Sequence, residues 1–117
     1  MEETYKMIYF IHIRGFDWKP IKEALPDITF PYEDAEKPKD SKKTIKQADL
    51  IIAEVSEPST GMGIELGWAN MLNKRIICIH KKGAKVSRSL NFISEKIIEY
   101  DSPENLISKI KEVANGI

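Results

Sequence analysis

Three runs, "KMIYFIHI" (6–13), "LIIAEV" (50–55) and "RIICIH" (75–80), are almost continuously apolar and rich in β-branched residues. A strand with one wet face alternates apolar with polar side chains. Runs without that alternation belong to strands buried on both faces, as in a parallel sheet covered by helices on either side. Two shorter, more polar runs, "DITF" (27–30) and "KIIEY" (96–100), read as edge strands.

Amphipathic segments fill the intervals, and strands alternating with helices specify a parallel sheet between two helical layers. "DWKPIKEAL" (17–25) places Trp18, Ile21 and Leu25 at helical spacing, with Asp17 as cap and Pro20 in the first turn. "PKDSKKTIKQA" (38–48) is a weaker, lysine-rich helix whose charges form a solvated face. "GIELGWANML" (63–72) is the strongest helix, followed by "SPENLISKIKEVANG" (102–116), with Ser102 as cap, Pro103 at its first position and Gly116 beyond its end. The expectation is five strands and about five helices in a single domain over 1–117. The fold class is α/β, a doubly wound three-layer sandwich with a five-stranded parallel sheet.

The 117 residues suffice for a core without disulfide or metal staples. Eighteen basic and eighteen acidic side chains cancel, so no summed field favours a nucleic-acid polymer or a membrane surface. The single cysteine, Cys78, lies inside an apolar run and reads as a small buried hydrophobe. No apolar stretch approaches the length of a membrane span, and "MEETYK" lacks the basic-then-apolar order of a leader. A cytoplasmic location is expected. "FPYEDAEKPKD" (30–40), with two prolines and four acids, reads as an exposed loop.

In open parallel sheets, ligands bind beyond the carboxyl ends of the strands, near the reversal of strand order. Three loops qualify: "HIRGFD", "SEPSTGMG" and "HKKGAKVSRS". In the second, Pro58, Ser59, Thr60, Gly61 and Gly63 form a tight turn whose amides and hydroxyls suit an anion or a sugar, although taken alone Ser59 or Thr60 reads more readily as a plain helix cap. Glu65 then falls in the first helical turn, where the macrodipole favours a carboxylate. Dipole compensation would explain it. Yet Ile64, Leu66 and Trp68, with glycines at 63 and 67, leave the carboxylate poorly hydrated, the condition for a carboxylate nucleophile of glycosyl transfer.

These residues carry a resemblance. "ADLIIAEVSEPSTGMGIELGWANMLNKRIICIH" (48–80) resembles the nucleoside 2-deoxyribosyltransferase family, and most of all its 2'-deoxynucleoside 5'-monophosphate N-hydrolase branch, through Ala-Asp, Ala-Glu-Val, a Pro-Ser turn and Gly-x-Gly-x-Glu-Leu-Gly. The resemblance implies a flavodoxin- or Rossmann-like fold and an N-glycosidase acting on a (deoxy)nucleoside 5'-monophosphate without a cofactor. It makes Glu65 the nucleophile, Tyr9 the residue that positions it, and Ser59, with Gly61 and Gly63, part of the substrate-binding turn. Arg14 and Gly15 would face the nucleotide. Ser89, with Ser87 as competitor, would reach the 5'-phosphate across a homodimer interface, for which Trp68 and Met71 offer an apolar seam.

Two departures are visible. The family's first loop reads Tyr-Phe-x-Gly-Ser-Ile-Arg-Gly, whereas here Tyr9-Phe10-Ile11-His12-Ile13-Arg14-Gly15 is one residue shorter and lacks the glycine and serine. The family aspartate eight residues before the Ala-Asp aspartate corresponds to Ser41, leaving Asp40, one position away, as the candidate acid. His12 and His80, ending two strands taken as adjacent, could give acid, base or substrate-binding help, or could simply bond to backbone. No metal site has a recognisable spacing. Trp18 and Trp68 could stack on a base, but their helical spacing suits core or interface. Lys81, Lys82 and Lys85 could face a phosphate or simply solvent. The alternatives are a nucleotide-binding module without turnover and a transferase passing the sugar between bases.

Overall fold

A computed structural model of the protein describes residues 7–33 and 40–114. The elements are β1 (Ile8–Ile11), α1 (Lys19–Ala24), β2 (Ile28–Thr29), α2 (Ser41–Gln47), β3 (Leu50–Glu54), α3 (Thr60–Met71), β4 (Arg75–Lys81), a 3-10 turn (Arg88–Phe92), β5 (Lys96–Tyr100) and α4 (Pro103–Ala114). All strands pair in parallel in the order β2-β1-β3-β4-β5. The two polar runs are the edges, as their composition implied.

Side chains alternate between two cores. On one face Phe10, Ile52, Ile77 and Ile79 pack with Ile21 of α1 and Leu106, Ile110 and Val113 of α4. On the other, Tyr9, Ile51, Ile76 and Cys78 pack with Ile45 of α2 and Met62, Leu66 and Ala69 of α3. Both faces of the central strands are therefore dry, which is why their sequences do not alternate. Burial pushes the Cys78 thiol up to about 11, so it serves as packing. Asp49, at the foot of β3, accepts a hydrogen bond from the Met7 amide at 2.9 Å and fixes β1 beside β3.

The helix boundaries differ from the sequence reading for local reasons. Helix α1 starts at Lys19, with Trp18 rather than Asp17 at the cap position and the proline in its first turn. Helix α2 begins at Ser41, capped by Asp40; residues 34–39, most of the acidic loop, lie outside the described residues, as do the amino-terminal hexapeptide and Gly116. Helix α4 begins at Pro103, and the Ser102 hydroxyl accepts from the Asn105 amide at 3.1 Å, as a cap should.

Helix α3 begins three residues earlier than expected, at Thr60, because extended Ser59 caps it by accepting from the Met62 amide at 3.4 Å. Gly61 and Gly63 are therefore helical residues rather than parts of a tight turn. Glu65 moves into the second turn, where the macrodipole has largely faded.

Candidate active site

β1 and β3 are neighbours, with connections leaving in opposite directions toward β2 and β4. The crevice at their carboxyl ends is the expected place for a ligand. A hollow of about 260 Å³ opens there, lined by Tyr9, His12, Pro31, Tyr32, Ser41, Gly61, Ile64, Glu65 and Trp68. Four elements or their flanking loops meet at it: the β1 strand and its exit, the segment after β2, the start of α2, and α3.

Glu65 is half-buried, and burial raises its carboxyl above the ordinary value, an effect only partly offset by a hydrogen bond from the Ser41 side chain. Desolvation, not the helix dipole, dominates its electrostatics. Beneath it, Tyr9 is fully buried in β1 and its hydroxyl has no hydrogen-bond partner. Burial, then the nearby Glu65 charge, raises the tyrosine pKa well above the usual range. The tyrosine expected to position the carboxylate thus stands beside it with its donor unspent, while Ser41 supplies the bond.

A second carboxylate, Glu54 at the end of β3, is more deeply buried but fully engaged. It accepts from the Ser56 amide at 2.7 Å, the Ser56 hydroxyl at 2.9 Å and the Tyr100 hydroxyl. The Lys81 amide donates in turn to the Ser56 hydroxyl at 2.8 Å. This cluster ties the ends of β3, β4 and β5 together, and its hydrogen-bonding capacity is taken up by structure.

Asp40 does not join the hollow. It is exposed, and its side chain accepts from the Lys43 amide at 3.3 Å as the cap of α2. The 100° rotation per residue turns the next residue, Ser41, toward Glu65 instead. Trp68 lines the hollow, with the Lys42 ammonium 4.9 Å above its ring. Trp18 packs on the opposite core and stacks on Phe30 at 5.3 Å.

Arg14 and Gly15 belong to two neighbouring hollows. One, of about 540 Å³, shares His12 and Tyr32 with the Glu65 hollow. The other, of about 560 Å³, brings Arg14 to Lys81 and Lys82 beside Glu54 and Ser56. Gly15 adopts a φ of +95°, a conformation that favours glycine. His80 bonds to the Lys81 carbonyl through Nδ1 at 2.9 Å, and β3 separates its strand from that of His12, so the two histidines are not on adjacent strands. Among the described residues, no cluster of three metal-ligating side chains occurs.

Ser59 and Ser89 face elsewhere. With Gly63, Leu66 and Gly67 from the other flank of α3, they line a separate, largely apolar groove of about 330 Å³. Ser89 lies in the 3-10 turn, where its amide donates to the Ser87 hydroxyl at 3.2 Å. Within one subunit neither serine lines the Glu65 hollow. The residue of the Glu65 hollow that sequence reasoning passed over is Ser41, noticed only as the place where an aspartate was missing.

The chain is similar to known proteins in sequence and in fold. The 5-hydroxymethyl-dUMP N-hydrolase of Homo sapiens is 51% identical over 37 residues, 32% of this chain and 21% of the relative. That of Danio rerio is 36% identical over 76 residues, 58% of this chain and 53% of the relative. The chain is a homologue of the 5-hydroxymethyl-dUMP N-hydrolases. The matches span about half of these N-hydrolases, or less. The CMP N-glycosidase of Clostridium botulinum shares the fold, with a TM-score of 0.69 and 24% identity over 92% of this chain and 99% of that one. No family model matches the chain.

Proposed function

We propose that this protein is an N-glycosidase that hydrolyses a (deoxy)nucleoside 5'-monophosphate, with Glu65 as the nucleophile. The observation that carries the reading is the half-buried Glu65 carboxylate, held by Ser41 in a hollow beside the unpaired Tyr9 hydroxyl. Kinship with nucleotide N-hydrolases supplies the substrate class.

A Glu65 oxygen attacks the anomeric carbon through an oxocarbenium-like state as the bond to the base breaks, and the departing base takes up a proton. Water then attacks the anomeric carbon of the glycosyl ester, giving the sugar 5-phosphate and returning the carboxylate. The Ser41 and Tyr9 hydroxyls orient the nucleophile. Arg14, beside Gly15, meets the 5'-phosphate, for which a guanidinium is well shaped. Gly61 leaves room over the hollow.

Ser89 fits a role in trans. The groove it shares with Ser59 and Gly63 and the exposed Ile64, Met71 and Phe92 supply an apolar surface for a second copy. A homodimer is the expected species, and size-exclusion mass checks it. A strictly monomeric protein would remove Ser89 from the site.

Incubating the protein with each nucleoside 5'-monophosphate and its deoxy form, then assaying free base, tests the proposal. Base release that disappears in Glu65→Ala supports it; release from none of them, or undiminished release by the variant, sinks it. The position of Asp40, capping a helix away from the hollow, favours a second reading in which the site binds nucleotides without turnover. Thermal stabilisation by nucleotides without base release would select that reading, and exchange of an added free base would select a transferase.

A further inference from the structure

His12 ends β1 in an enclosure of aromatic rings. Its imidazole centroid lies 6.0 Å from Phe10, 5.4 Å from Phe16, 6.1 Å from Phe30 and 5.6 Å from Tyr32, the last edge-on. The residue is only 5% exposed. Nδ1 is 2.7 Å from the Ile13 carbonyl oxygen, and because a carbonyl only accepts, Nδ1 carries the proton and donates. The other nitrogen, Nε2, is buried without any partner. Burial lowers the pKa of the ring, so at neutral pH Nε2 presents a bare lone pair.

An orphaned acceptor inside a protein is costly and uncommon, and it calls for an explanation. Its position provides one. His12 and Tyr32 form the wall common to the Glu65 hollow and the Arg14 hollow. A nucleoside monophosphate with its anomeric carbon at Glu65 and its phosphate at Arg14 lays its sugar across that wall. What the sugar offers there is hydroxyl donors. Arg14, 5.7 Å above the Tyr32 ring, links the phosphate end to the ring that stands over the imidazole.

We propose that His12 reads the sugar: its neutral Nε2 accepts a hydrogen bond from a furanose hydroxyl of the bound nucleotide and thereby sets which sugars the site accepts. The inference rests on the nucleotide reading of the Glu65 hollow. The sugar reaches Nε2 as the Tyr32 edge turns aside, and the pair so formed replaces the missing partner. A site that presents an unpaired acceptor discriminates strongly against a ligand lacking the donor, because the acceptor then stays unpaired in the complex.

The test measures binding by calorimetry in the Glu65→Gln background, where ligand is not consumed, using ribonucleoside 5'-monophosphates and their 2'-deoxy and 3'-deoxy forms. Deletion of one hydroxyl is expected to weaken binding about tenfold to hundredfold with His12 present, and by no more than about twofold after His12→Phe. Phenylalanine suits the aromatic enclosure, so the variant should fold with an unchanged or higher Tm. Should it not fold, the ¹⁵N resonance of Nε2 in the otherwise unchanged protein gives an independent reading, moving from its free lone-pair position to a hydrogen-bonded one as nucleotide is added. An unmoved resonance, or the same hydroxyl preference with and without His12, overturns the role of His12 while leaving the nucleotide site standing. Absence of any nucleotide binding overturns both.

Discussion

The Ser41 side chain hydrogen-bonds the Glu65 carboxylate across the gap between α2 and α3. Burial raises the carboxyl pKa and this bond lowers it, with burial the larger effect. Ser41→Ala removes the lowering contribution alone. The acid limb of the pH dependence of kcat/KM is therefore expected to move to higher pH, with activity retained above it. A pH-rate profile checks this, and an unmoved limb would detach Ser41 from the nucleophile.

Glu65 should also weaken the fold that houses it. With its native pKa raised, the folded state keeps the proton at pH values where the unfolded chain has lost it, so stability falls as pH rises through that interval. Glu65→Gln is expected to raise Tm at pH 7.5 and to lower base release by about a thousandfold or more. The gain in Tm should shrink as the pH drops toward the ordinary carboxyl value of 4.5. Calorimetry at several pH values tests the sign, and a gain that grows on acidification would contradict it.

Tyr9→Phe separates stability from chemistry at the floor of the hollow. The hydroxyl is buried and unpaired, so its removal should leave stability unchanged or raise it by up to about 1 kcal/mol. Loss of the donor beside the carboxylate should lower kcat by about tenfold to hundredfold. Urea denaturation and steady-state kinetics measure the two effects.

Tyr100→Phe should do the reverse. Its hydroxyl serves the buried Glu54 carboxylate, and losing a hydrogen bond to a charged group there should cost about 1.5–3 kcal/mol of stability. The midpoint of urea unfolding reports it, and a loss under about 0.5 kcal/mol would mean that the cluster is weaker than its geometry implies.

The sheet was legible because burial on both faces imposes a pattern that composition alone displays, down to the polar edges at β2 and β5. Helix starts were less so, since Ser59 and Asp40 cap through side-chain geometry that competes with glycine and lysine propensities nearby. Glu65 stood out because a carboxylate among Ile64, Leu66 and Trp68 contradicts its surroundings. Ser41 did not, because a serine in a polar helix contradicts nothing, and only the packing of α2 on α3 gives it a partner. His12 was visible as a histidine at a strand end, but its unpaired nitrogen depends on which of two ring atoms the backbone claims.

The cluster of Glu54, Ser56 and Tyr100 acts as a clasp on one half of the sheet, gathering β3, β4 and β5 at their carboxyl ends. The loop after β1 supplies none of these hydrogen bonds. A chain built this way can lose a residue from that loop, or exchange glycine and serine for a histidine, without loosening the clasp. New sugar or base preferences should therefore be reachable by rewriting residues 12–16, with the fold as a fixed chassis.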